Sequence, residues 1–90
     1  MRVIKRTGQK EDWNDRKLRQ SIMNAAEDAG LSAPEMDSIT QKVFVKISHL
    51  LKDKEEVTSY LIRNEVLKEL DAEDKRVADA WRIHEMKKWQ

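Results

Sequence analysis

The sixteen residues "VIKRTGQKEDWNDRKL", positions 3–18, decide how this chain begins to fold. Val3 and Ile4 are β-branched and suit a strand. Gly8 is the only residue of the stretch that enters the left-handed region freely. A hairpin over residues 2–13 follows, with a type I turn closed by Gly8 as a bulge. The short second strand is expected to end near Trp13, whose ring packs on whatever the hairpin covers. Asn14 or Asp15 then caps a helix, because a short polar side chain can accept from the free N–H groups of a first turn. Lys5, Arg6 and Lys10 flank the turn, which raises a question that strand propensity does not answer.

The rest of the chain is helical in character. It has 90 residues with two Gly and one Pro, so one domain poor in loops is expected. A first helix spans about 15–29, with Leu18, Ile22, Ala25, Ala26 and Ala29 as its apolar stripe. Gly30 stops it. Ser32 and Glu35 form a capping box with Pro34 inside the first turn of a second helix, about 33–52. Met36, Ile39, Val43, Ile47 and Leu50 are its expected inner face. Residues 52–56 read as a charged connector. Thr58 or Ser59 opens a third helix, about 58–71, carrying Leu61, Ile62, Val66, Leu67 and Leu70. Asp71 or Asp74 caps a fourth, about 74–87, with Val77, Ala78, Trp81 and Met86 inward. The predicted fold class is α+β, mostly α: an N-terminal hairpin lid on a four-helix bundle. An isolated hairpin is marginal in water, so it must pack on the helices.

Composition excludes several functions. Charged residues make up 39% of the chain, yet the net charge is +1, which disfavours a general coat for DNA or anionic membrane. Cysteine is absent, which removes disulfides and thiolate chemistry. No apolar run approaches a membrane span and no signal pattern opens the sequence, so a cytoplasmic protein without membrane contact is expected. His49 and His84 lack partners at metal-ligand spacing. Neither Gly-rich phosphate loop is present, and no catalytic triad can be assembled. An enzyme is not expected.

Local cation clustering is what remains. Lys5, Arg6 and, one turn into the first helix, Lys17 converge if the hairpin turn sits beside the start of that helix. Unpaired N–H groups there would add to the attraction for an anion. Arg offers phosphate a bidentate fork and Lys a point charge. Glu11, Asp12 and Asp15 lie nearby, either orienting the cations or helping to hold a magnesium ion. The competing reading is that all of these are solvated charges. Lys87-Lys88 beside Trp89 is likewise either a tail that reaches back to phosphate or a frayed helix end. Trp81 reads as core, and Trp13 as either core or ligand platform, core being favoured.

In order, "VIKRTGQKEDWNDRKL", "SIMNAAEDAGLS", "VTSYLIRNEVLKEL" and "RVADAWRIHEMKK" resemble the ATP-cone. This is the small nucleotide-binding regulatory domain of many ribonucleotide reductases and of the zinc-ribbon repressor of reductase genes. The resemblance covers essentially the whole chain. It implies a hairpin or three-stranded lid over four helices, and binding of ATP or dATP as effector, with Mg2+. Carried over position by position, it places Val3 and Leu18 at the base, with Ile22 an apolar neighbour. Lys5, Arg6 and Lys17 fall at the phosphates, and Glu11 and Asn14 around the nucleotide. Thr58 falls at the adenine, and Lys88 at a phosphate, with Lys87 the alternative. Ile62 also belongs to this set, standing where some members carry His near the nucleotide, which counts against a second bound nucleotide. Thr7 replaces the usual turn Asp or Asn.

No reductase barrel and no four-cysteine zinc ribbon occur within these residues. The chain is therefore expected to be an excised domain or a freestanding cone regulating a protein partner, such as a reductase subunit, in trans. Direct contact with nucleic acid is not expected on this reading. The alternative is a nucleotide-independent module that uses the basic hairpin and tail to bind nucleic acid or protein.

Overall fold

A computed structural model describes residues 1–88, with side chains through Met86. Its elements are β1 (Arg2–Ile4), β2 (Lys10–Asp12), α1 (Asp15–Asp28), α2 (Ala33–Leu51), β3 (Glu56–Thr58), α3 (Ser59–Glu73) and α4 (Lys75–Lys88). The fold is α+β and mostly α. Trp89 and Gln90 of the expected basic tail lie outside the described residues.

The hairpin forms through the expected turn. The Gly8 N–H donates to the Lys5 carbonyl at 2.9 Å, and the Lys5 N–H to the Gln9 carbonyl at 2.7 Å. Gly8 has φ of +89°, the left-handed conformation that closes a type I turn with a bulge. A third strand enlarges this hairpin into a sheet of order β2-β1-β3. β1 pairs antiparallel with β2 (Val3 opposite Glu11) and parallel with β3 (Val3 opposite Val57). The expected charged connector therefore ends one residue early, because Glu56 already belongs to β3. Parallel pairing demands a long crossover, and α1 with α2 supply it.

Caps set the helix starts. Ser32 and Glu35 make the reciprocal capping box, with proline in the first turn. Thr58 accepts from the Leu61 N–H at 3.1 Å, and Asp74 from the Arg76 N–H at 2.9 Å. The ion pairs Lys42–Glu73 and Lys46–Glu69, at 3.8 and 2.9 Å, advance by four on α2 and retreat by four on α3. These two helices therefore run antiparallel.

One apolar cluster joins the sheet to all four helices. Ile22, Ala25, Ala26, Val43, Val66, Leu70, Val77 and Ala78 are fully buried within it, and Val3 and Val57 seal it from the sheet side. Two expected core positions face outward instead. Leu50 is 40% exposed while Leu51 is buried, because steps of four from Ile39 through Val43 and Ile47 arrive at Leu51. Met86 is 64% exposed, because the next step of four from Val77 and Trp81 arrives at Glu85. Ala29 is only partly buried, as are Met36, Leu61, Ile62 and Leu67.

Ile22→Ala is expected to destabilise the chain by about 2–5 kcal/mol, the cost of an unfilled core cavity. Thr40 is buried with its hydroxyl unpartnered, so Thr40→Val should leave stability unchanged or raise it, by up to about 1 kcal/mol. Urea unfolding of both variants checks the opposite signs.

Acid should weaken the α3–α4 contact. Hydrogen bonds from Arg82 hold the Asp71 carboxyl below the ordinary aspartate range, and those from Arg76 do the same for Asp74. A depressed folded pKa contributes stability above the unfolded value, about 3.9, and loses it as pH falls through the folded one. Asp71→Asn is thus expected to lower the melting temperature at about pH 7 more than at about pH 2.5, as read by circular dichroism.

Candidate functional site

Strand alternation decides which sheet residues meet the helices. Val3, its antiparallel mate Glu11 and its parallel mate Val57 share the helix-facing side. Arg2, Ile4, Lys10, Asp12, Glu56 and Thr58 fall on the other side by the same register. There the Lys10–Glu56 ion pair, 3.0 Å, bridges the two outer strands. Glu11 is thereby carried to the edge of the helical layer, despite its charge.

A hollow of about 170 Å³ opens between this side of the sheet and α1, α3 and α4. Val3, Leu18, Ile62 and Trp81 give it apolar walls, and Glu11, Asn14, Lys17, Ser21, Arg63 and Glu85 give it polar ones. A second hollow of about 350 Å³ lies beside it. Ile4, Lys5, Arg6, Thr58 and Tyr60 line this one, and Ser59 and Arg63 line both. The first falls short of the roughly 300–1,000 Å³ of a small-molecule site, and the two joined reach it.

The expected residues are thus divided between two adjoining spaces. Val3, Glu11, Asn14, Lys17, Leu18 and Ile62 meet in the first, and Lys5, Arg6 and Thr58 in the second. Ile22 lies beneath them, with no exposed surface. Lys88 ends α4, and its side chain is outside those described.

The position of the turn departs from expectation. It sits beside the start of α3 rather than that of α1, since the register sets Ile4 against Thr58 and so brings Lys5 alongside Ser59. α1 begins instead at the far end of β2. Its first-turn donors are also partly engaged, because the Asn14 carboxamide oxygen accepts from the Arg16 N–H at 3.0 Å and from the Lys17 N–H at 3.3 Å. Glu11 ties the turn to the first hollow, which α1 also walls, because its carboxylate pairs with the Lys5 ammonium at 3.1 Å.

The nearby acids are dispersed. Glu11 holds Lys5, Asp12 lies 4.0 Å from Arg2, and Asp15 accepts from the Trp13 indole N–H. Trp13 packs partly buried against the core and also lines the first hollow, so it serves as both core and wall. Trp81 is core as expected, 4% exposed, yet its edge also walls the first hollow, and its indole N–H donates to Ser21 at 3.3 Å.

Sequence reasoning missed Ser21, Ser59, Arg63, Trp81 and Glu85 as wall residues. A signal existed for each. Ser21 stands four residues after Lys17, Arg63 four after Ser59, and Glu85 four after Trp81, so each pair shares a helix face.

A three-stranded lid on four helices, with a cationic and partly apolar double hollow at their junction, defines a small domain suited to an anionic ligand that carries an apolar part. A family model for the ATP cone domain matches residues 1–87. The transcriptional repressor NrdR of Synechococcus sp. (strain JA-2-3B'a(2-13)) is 34% identical over 68 residues, covering 76% of this chain and 37% of the repressor. Its counterpart in strain JA-3-3Ab is also 34% identical over 68 residues, covering 76% of this chain and 33% of that protein. The chain spans about a third of the length of these curated relatives. It belongs to the ATP-cone family, and membership carries a nucleotide-binding, regulatory role with ATP or dATP as effector.

Asn14 both caps α1 and lines the first hollow. Asn14→Ala is expected to cost about 1 kcal/mol of stability and to speed amide exchange at Arg16 and Lys17 before exchange in the core, as hydrogen-exchange NMR would resolve.

Proposed function

We propose that the chain binds one ATP or dATP across the two hollows and acts as an allosteric sensor, controlling a ribonucleotide reductase or another protein partner. It would act in trans or as part of a longer protein. The observation that carries this reading is the junction itself: an apolar-walled space shares Ser59 and Arg63 with a space lined by Lys5 and Arg6. A purine needs the first and a triphosphate needs the second. Val3, Leu18 and Ile62 would contact the base, with Ile22 supporting them from below. Glu11 and Asn14 would meet the sugar or base edge. Lys5, Arg6 and Lys88 would meet the phosphates, Lys17 would reach toward them from the first hollow, and Thr58 would stand beside them in the second. No enzymatic step is proposed.

The Lys5–Glu11 pair gives such a site its electrostatic logic. Phosphate oxygens compete with Glu11 for Lys5, so binding releases a carboxylate that faces the first hollow. Magnesium would arrive with the triphosphate, which can supply oxygens the protein does not cluster. Among the described residues no group of three potential ligands is placed to hold a metal by itself.

The relatives are named transcriptional repressors. That name favours regulation through nucleic acid and weighs against the expectation that nucleic acid is no direct partner. The net charge of +1 gives this chain little general attraction for a duplex, so the proposal keeps the nucleotide as its ligand and places any DNA contact downstream of it. No helix among the described residues is long and apolar enough to cross a membrane.

Calorimetric titration with ATP and dATP in magnesium is expected to give saturable binding near a micromolar dissociation constant, about −8 kcal/mol. Amide shifts should centre on residues 3–18 and 58–62. Lys5→Ala, Arg6→Ala and Lys17→Ala should each weaken binding about tenfold, roughly one lost charge-assisted contact. Unchanged affinity in all three would refute the site. Binding to DNA that ignores ATP and weakens steeply with salt would favour the interaction-module alternative.

A further inference from the structure

We propose that Arg63 is the residue at which the phosphate chain of a bound nucleotide passes from the first hollow to the second, and that Tyr60 positions it. This rests on the nucleotide reading above.

Two side chains line both spaces, Ser59 and Arg63. A nucleotide whose base lies among Val3, Leu18 and Ile62 must cross that shared wall before its outer phosphates reach Lys5 and Arg6. The atoms that cross are those joining sugar to first phosphate. Ser59 offers them one hydroxyl. Arg63 offers a planar fork of N–H donors whose spacing matches two phosphate oxygens.

The fork also has an aromatic neighbour that holds it in place. The guanidinium carbon of Arg63 lies 5.8 Å from the centroid of the Tyr60 ring, inside the roughly 6 Å range of a cation–π contact. The two residues are three apart on α3, hence neighbours on one face. Tyr60 is 64% exposed and walls the second hollow, so its ring is not fixed by core packing. The ring keeps the guanidinium beside the wall that the two hollows share, where phosphate oxygens can compete for its N–H donors. An aromatic ring at the surface thereby has a role that core packing does not give it.

Position at the junction makes a prediction that a generic surface cation does not. Arg63 should act on the first phosphate, and Lys5 and Arg6 on the outer ones. The test is NMR titration of the full chain with adenosine, AMP and ATP, comparing Arg63→Gln, Arg63→Lys and Lys5→Ala with the parent. Arg63→Gln keeps most of the stem, and thermal melting verifies that it folds.

Arg63→Gln is expected to weaken AMP and ATP by a similar factor, about tenfold, while leaving adenosine within about twofold. Arg63→Lys should recover part of the loss. Lys5→Ala should weaken ATP and spare AMP. Tyr60→Leu should weaken both phosphorylated ligands about threefold, with Tyr60→Phe restoring them.

Parent-like binding of ATP by Arg63→Gln, alongside loss in Lys5→Ala, would overturn the role of Arg63 and leave the nucleotide site standing. An equal loss for adenosine and AMP would overturn it too, by showing that Arg63 serves packing. Failure of the parent chain to bind ATP, dATP or AMP would remove the nucleotide reading and this inference together.

Discussion

Everything in the site depends on a three-residue strand that is paired on both edges. β1 takes β2 on one side and β3 on the other, with Val3 set between Glu11 and Val57. Two strands of this length would not hold alone. The second edge changes that, since Val3 and Val57 lie side by side over the helical core, 7% and 5% exposed. The parallel edge also fixes position. Because Ile4 meets Thr58, the residues following each of them, Lys5 and Ser59, emerge together. The cations of the turn stand beside α3 for that reason. A slip of one residue would turn Val3 outward and Ile4 inward, closing one hollow and dispersing the other.

The charges divide into two groups by what they face. Lys10–Glu56, Lys42–Glu73, Lys46–Glu69 and Arg82–Asp71 each join separate elements on the outer surface. Pairs this exposed contribute little stability one by one, but they neutralise one another, which is how a chain 39% charged has a net charge of +1. Lys5, Arg6, Lys17 and Arg63 line the double hollow, and Glu11, Asp12 and Glu85 line its first part with them. The second hollow, with three cations and no acid among its lining residues, is the basic part, and its field is local rather than long-ranged.

Local chemistry was legible in the sequence and long-range pairing was not. The turn at Gly8, the Asn14 cap, the Ser32–Glu35 box and the four helices rest on contacts within a few residues, and the composition reveals them. β3 could not be read that way. Its three residues include one apolar side chain, Val57, and they form a strand only because β1 lies alongside. The errors at Leu50 and Met86 have a different origin. A period of 3.6 lets a stripe drift by one residue over several turns, and the end of a helix has the fewest neighbours to correct it. For the candidate site, the sequence yielded residue types and missed their division. Lys5 and Lys17 were expected in one cluster, whereas they line separate hollows connected through Glu11. Arg63 went unnoticed because its one signal, a spacing of four from Ser59, points to a residue that was itself not placed in the site.

That division bears on how a small domain could regulate a larger assembly. The first hollow has walls from the sheet, α1, α3 and α4, and the second from the ends of β1 and β3, the turn and α3. A ligand confined to either would touch elements already in contact. One that spans both would tie the turn to α4 through α3, and would do so by displacing Glu11 from Lys5. A ligand shifts an equilibrium only by its difference in affinity between two arrangements. The arrangements that matter in the proposed reading are those with Lys5 on Glu11 and with Lys5 on phosphate. The released carboxylate then faces the sugar and base edge, the part of the molecule in which ATP and dATP differ by one hydroxyl. Discrimination between the two effectors and the change in the protein would thus arise at the same side chain, so the strength of one sets the size of the other.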